Sequence, residues 1–266
     1  MKKTNVTLKE VNAVYSGPEG VLWELIMGEQ IHVGGFASSM ALAQAAGIKE
    51  GQKVLDLCSA LGAGLRFLVK YFGVKGCGLD GTPHMLDEAK KRTERDNMSG
   101  SIEYKLGDVT SIPWPDKEFD VVWGEDAWCY VADKEKQISE ASRVLKAGGT
   151  IAFTDWIEGP KGLSDDDALR INTFMKFPYM ESQKGYEELL KKYGFAIKVS
   201  DDLTSEFADY IQFYIDMLTK QLTFDALRII GWDMNMMQAM GGEMGFMLQK
   251  AREGAFGRGR FVGVKE

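Results

Sequence analysis

The chain has 266 residues, 45% apolar and 27% charged, with a formal net charge of −7, enough to bury an α/β core in one or two domains. The acidic balance and the lack of a long Lys/Arg cluster argue against a nucleic-acid footprint, and no apolar run is long enough to span a membrane. Three cysteines, Cys58, Cys77 and Cys129, lack CxxC spacing, which argues against a disulfide framework or a zinc site.

No apolar core follows the lysines near the N-terminus, so no signal peptide is expected and the cytoplasm is the expected location. Residues 1–50 read as an N-terminal cap, polar to about residue 12 and then rich in aromatics (Tyr15, Trp23, Phe36), with a helix over Ser38–Ala46 that stops at Gly47. From residue 53 strands and helices alternate. Strands are predicted at Lys53–Leu57, Lys75–Asp80, Ser101–Leu106, Phe119–Gly124 and Thr150–Asp155, with helices at 62–72, 83–97 and 133–145. This alternation implies a parallel sheet with right-handed crossovers, and Gly148-Gly149 reads as the turn before the fifth strand. Residues 160–180 read as loop and short helix. A helix at 183–193 stops at Gly194, Phe195–Ser200 alternates as a strand, and 204–252 is a long helical stretch rich in methionine. Its methionines are expected to face a core, although flexible thioethers can also line a lid. Gly259–Val264 reads as a last strand lying antiparallel beside the sixth. The expected architecture is α/β: a Rossmann-like, seven-stranded, mostly parallel sheet with an antiparallel last strand. The cap covers 1–50, the core 51–160, and a helical insertion with the last two strands 161–266.

The candidate chemistry sits at strand ends. The first strand runs into Asp56, Cys58, Ala60, Gly62 and Gly64, a small-residue turn that lets backbone approach a ligand. A dinucleotide fingerprint needs glycines where Cys58 and Ala60 stand, so a phosphate cradle is disfavoured. Asp56 can orient this loop or receive an ammonium group, and the bland reading is a tight turn without ligand. Asp80, followed by Gly81, ends the second strand 24 positions later, where its carboxylate can accept ribose hydroxyls or cap the helix opening near Thr82-Pro83. Asp108 and Val109 end the third strand and can meet a base through carboxylate and backbone amide. Beyond the fourth strand lie Glu125, Asp126, Trp128 and Tyr130, where ligands sit in open α/β sheets. Aromatic faces there can hold a cation or simply pack. Asp126, Tyr130 and His32, a histidine in the Gly-flanked segment 28–35, are the candidates for assisting proton movement. Tyr15, Trp23, Trp128 and Trp156 are candidates for contact with a substrate. His84 has no assigned role.

On these residues the chain resembles the class I S-adenosylmethionine-dependent methyltransferases. It is most similar to the small-molecule group containing sarcosine/dimethylglycine and tocopherol-type enzymes. The resemblance covers residues 53–156 and extends to the Ile-His-Val-Gly segment at 31–34. It implies that Asp56 and Gly62 border the methionine part of S-adenosylmethionine, Asp80 its ribose, and Asp108 and Val109 its adenine, with Cys58, Ala60, Gly81 and Glu125 nearby. It further implies methyl transfer to a small-molecule acceptor, an amine nitrogen first, with S-adenosylhomocysteine as product. Two departures stand out. Cys58 and Ala60 replace the family's glycines, and Tyr130 stands where the dimethylglycine enzymes place a histidine. The alternatives are C- or O-methylation of a hydrophobic metabolite, a catalytically inactive S-adenosylmethionine-binding protein and, more distantly, a nicotinamide-dependent oxidoreductase. The late insertion can serve as a lid or as a homodimer surface.

Overall fold

The computed structural model describes residues 3–266. Three helices open the chain: α1 (Leu8–Tyr15), α2 (Pro18–Met27) and α3 (Gly35–Ala46). The alternating core follows as β1 (Lys53–Leu57), α4 (Ala63–Phe72), β2 (Lys75–Asp80), α5 (Pro83–Arg95), β3 (Ile102–Leu106), β4 (Phe119–Glu125), α6 (Lys134–Val144) and β5 (Leu145–Glu158). The last third carries α7 (Asp165–Met175), the two-residue β6 (Glu181–Ser182), α8 (Gln183–Lys192), β7 (Phe195–Asp202), α9 (Thr204–Asp216), α10 (Thr223–Ile229), α11 (Met234–Arg252) and β8 (Phe256–Lys265).

The main sheet runs β3-β2-β1-β4-β5-β8-β7, with β6 paired to β5 off this path. Strands β1 to β5 are mutually parallel, while β8 lies antiparallel between β5 and β7, as expected for the last strand. Alternating residues face opposite sides, which is why the strands read as continuous apolar runs. Leu55, Val122, Ile151 and Phe261 enter one core, and their neighbours Val54, Val121, Ala152 and Val262 enter the other. A third core lies between the N-terminal helices and the insertion. Trp23 and Ile26 there meet Phe207, Ile211, Met240, Met244 and Met247. Those three methionines recur at helical spacing on one face of α11, so they serve as core.

Several boundaries differ from expectation. The turn predicted at Gly148-Gly149 is an irregularity within one long strand: Leu145 pairs with Phe119 and Thr150 with Val121, and Gly148 takes φ of 74°. The long helical stretch predicted over 204–252 is divided by a π-helical turn at Met217–Gln221 and again at Gly231 and Trp232, both at φ of 65°. Among the described residues, no helix is long and apolar enough to cross a membrane.

The end of β4 is packed without slack. A Cβ on Gly124 would collide with the indole nitrogen of Trp128, whose ring is stacked on Phe153 at 4.1 Å between centroids. Gly124→Ala is therefore expected to destabilise the fold by about 1–3 kcal/mol, read as a lower denaturation midpoint; an unchanged midpoint would show that the Trp128 contact can relax.

Candidate functional site

Strand order reverses at β1, which lies between β2 on one side and β4 on the other. At such a switch point the loops leaving the carboxyl ends diverge and open a crevice. A cavity of about 400 Å³ fills it, lined by the ends of all four of the strands β1 to β4, by the loop at Gln30–His32 and by Tyr15 of α1. Among the described residues its carboxylates are Glu29, Asp56, Asp80, Asp108, Glu125, Asp126 and Asp133, and its lining contains no lysine or arginine.

Asp80 holds the cavity floor together. One carboxylate oxygen accepts the Ala60 N–H at 2.9 Å and the other the Thr82 N–H at 2.7 Å, which ties the loop after β1 to the loop after β2. Burial pushes its pKa up, and these two N–H donors restrain that shift. Each oxygen retains a further lone pair for a ligand hydroxyl. Asp56 is also buried but has no side-chain hydrogen bond to the protein among the described residues. Burial, then the nearby charges of Glu125 and Asp80, lift its pKa well above the usual range. It is a carboxylate without a counter-charge, suited to a cationic group.

Cys58 and Ala60 line the cavity at φ of 63° and 43°, so these residues hold the left-handed conformation that glycine favours. Ile31 and Asp126, also in the lining, have φ of 47° and 53°. Each such residue costs roughly 1–2 kcal/mol, and strained backbone of this kind concentrates at functional sites. Gly62 does not line the cavity. It opens α4 at φ of 68°, against the Tyr104 hydroxyl, where a Cβ would clash. There it shapes the loop. Gly81 lines the cavity and its carbonyl accepts from Asn12 of α1 at 3.2 Å. Asp108 and Val109 border it too, with Asp108 exposed and accepting the Thr110 N–H at 2.8 Å.

Beyond β4 the structure reassigns several predicted residues. Asp126 is not a free proton acceptor. Its two oxygens accept from Arg258 Nε at 2.7 Å and from the Val33 N–H at 2.9 Å, and both members of the ion pair are buried. Arg258 also donates to Ser38 and Thr154. Sequence reasoning missed Arg258, which lies 132 positions away in β8. His32 is buried in a polar cluster: Nε2 lies 3.0 Å from Ser39 Oγ and 3.3 Å from Glu125 Oε1, and Ser39 and Trp123 both donate to Glu125. Tyr130 lines the cavity and accepts a 2.8 Å hydrogen bond from the Tyr15 hydroxyl, while burial raises the pKa of both phenols. The structure thus brings Tyr15 and Tyr130 together. The three predicted tryptophan contacts are corrected. Trp128 is fully buried and donates to the Leu57 carbonyl at 3.3 Å, Trp156 packs among Phe177, Phe207 and Phe256, and Trp23 lies in the same core. None of them borders the cavity, because their large apolar area is taken up by packing.

Residues 55–153 match the family described as a methyltransferase domain. Over these residues the core is similar to a methyltransferase domain. Phosphoethanolamine N-methyltransferase 3 of Arabidopsis thaliana is 27% identical over 212 residues, which is 79% of this chain and 42% of that protein. Sterol 24-C-methyltransferase of Saccharomyces cerevisiae is 30% identical over 178 residues, 63% of this chain and 46% of that protein. The chain spans less than half the length of either. A solved structure from Galdieria sulphuraria, a candidate sarcosine dimethylglycine methyltransferase, superposes with a TM-score of 0.85 at 21% identity, covering 94% of this chain and 97% of that one. The methyltransferase domain thus supplies the four strand ends, and the helices before and after it supply the cover.

Replacing Asp126 by Asn would leave the Arg258 guanidinium buried without its counter-charge. The variant is expected to lose about 3–5 kcal/mol of stability, measured by denaturant unfolding. A normal unfolding midpoint with lost activity would return Asp126 to a chemical role.

Proposed function

We propose that the protein transfers a methyl group from S-adenosylmethionine to a small-molecule acceptor, an amine nitrogen, and releases S-adenosylhomocysteine. One observation carries the reading: four successive strand ends deliver Asp56, Asp80, Asp108 and Glu125 to a single cavity at the switch point of a methyltransferase domain. In this reading Asp80 accepts the ribose hydroxyls while holding the Ala60 loop. Asp56 takes the ammonium of the methionine tail, and Asp108 with the Val109 amide borders the adenine. Glu125 stays in the His32–Ser39 cluster and sets the wall beside the methyl group. Tyr15 and Tyr130 face the acceptor and orient it through their hydroxyls. The sulfonium is already activated, so positioning and exclusion of water supply most of the catalysis, up to roughly 7–11 kcal/mol. A carboxylate-rich lining suits a polar amine better than the hydrophobic acceptor of a C- or O-methylating enzyme. The three cysteines are free, in keeping with the reducing, cytoplasmic location proposed from sequence.

Two tests follow from the carboxylates. Asp80→Ala should weaken S-adenosylmethionine binding by about a hundredfold or more, through the lost charge-assisted hydrogen bonds and the loosened loop. Unchanged affinity in calorimetry would remove Asp80 from the ribose. For Asp56 the sign is set by its raised pKa. In the empty protein the protonated form persists to higher pH than usual, so its stability contribution is lost as pH rises through that range. A cation favours the ionised form, so affinity for S-adenosylmethionine should rise as pH increases above the usual carboxylate range. Asp56→Asn should flatten that dependence; a slope that survives the substitution assigns it to another group.

A further inference from the structure

The cavity continues past the strand tips toward Tyr15, Tyr130, Asp133 and Pro178, the end left for an acceptor once a nucleoside lies along the tips. Phosphate groups are most readily held by arginine, lysine or a free helix N-terminus. Among the described residues this cavity has seven carboxylates in its lining and neither cation. The buried cations behind it are committed elsewhere. Arg258 is locked onto Asp126, Ser38 and Thr154. Arg66 bonds the Leu61 carbonyl and pairs with Glu29 and Asp96. Lys134 is fully buried, donates to the carbonyls of Val131 and Tyr179 at 2.9 Å each, and has its pKa lowered to about 8 by burial. The N-terminus of α1, whose Thr7 and Leu8 also line the cavity, is capped by Thr7 and Glu10, and that of α6 already holds an anion. Asp133 caps it, accepting the Lys136 N–H at 2.9 Å.

We infer that the acceptor is a small amine carrying no phosphate group, held as ammonium or neutral amine between the Tyr15–Tyr130 pair and Asp133. This deepens, and rests on, the methyl-transfer reading. The phenol rings can hold a cation by its attraction to their faces, and Asp133 supplies the opposite charge. Before transfer an ammonium gives up one proton to water. The nitrogen lone pair then forms the N–C bond while the C–S electron pair returns to sulfur, leaving S-adenosylhomocysteine and a methylated ammonium.

The test uses the full chain saturated with S-adenosylhomocysteine and two calorimetric probes, N-methylethanolamine and its phosphate ester. The free amine is expected to bind at least about 100-fold more tightly, because a phosphate group would meet the lining carboxylates with no lysine or arginine among the described lining residues to offset them. Equal or tighter binding of the ester, or no binding of either probe, overturns the inference. Failure to bind S-adenosylhomocysteine at the outset is a separate result and counts against the methyl-transfer reading itself. Asp133→Asn retains a helix cap and should shrink the ratio about tenfold; an unchanged ratio overturns the part given to Asp133.

Discussion

The buried ion pair between Asp126 and Arg258 fixes the relation of the cap to the sheet. Through it the end of β4, the start of β8, Thr154 of β5, the Val33 amide and Ser38 of α3 converge on one point. A carboxylate removed from water this fully needs a partner cation and satisfied lone pairs, and both are present. The segment carrying Tyr130 therefore leaves β4 in one direction only, and the Gln30–His32 loop is held over the cavity. Asp126 pays for this with a left-handed backbone conformation.

On the other side of the cavity the organising charge is Asp80. Its two backbone bonds close the loop in which Cys58 and Ala60 replace glycine. Both residues adopt the positive φ that glycine favours. The substitutions cost strain rather than shape. With carboxylates contributed from the cap and from several strand ends and no lysine or arginine among the described lining residues, the cavity has a negative field suited to a cationic ligand.

The sheet was legible because its strands are buried on both faces and bounded by glycine and proline, so short apolar runs could not be anything else. Six of the candidate strands start or end within a residue of their observed limits at one end or both, and acids placed at strand tips did meet in one cavity. The first two helices were not read, although Thr7 and Glu10 form a capping box and Pro18 opens α2. Those local signals were present, but the helices are only eight and ten residues long, too short for an apolar period to stand out. Arg258 could not have been found, since nothing local distinguishes an arginine in a strand from its ion-pair partner 132 residues earlier. The tryptophans failed for a different reason. An indole serves core and cavity equally well, and only three-dimensional packing decides between them, as it did for Trp128 and Trp156.

The most direct measurement is a crystal structure of the protein bound to S-adenosylhomocysteine. The account predicts the ribose hydroxyls within hydrogen-bond distance of the Asp80 carboxylate and the amino group of the homocysteine tail against Asp56, with the sulfur turned toward Tyr15 and Tyr130. Nucleoside density elsewhere in the molecule, or a ribose that leaves Asp80 bonded to the Ala60 and Thr82 amides alone, would contradict it.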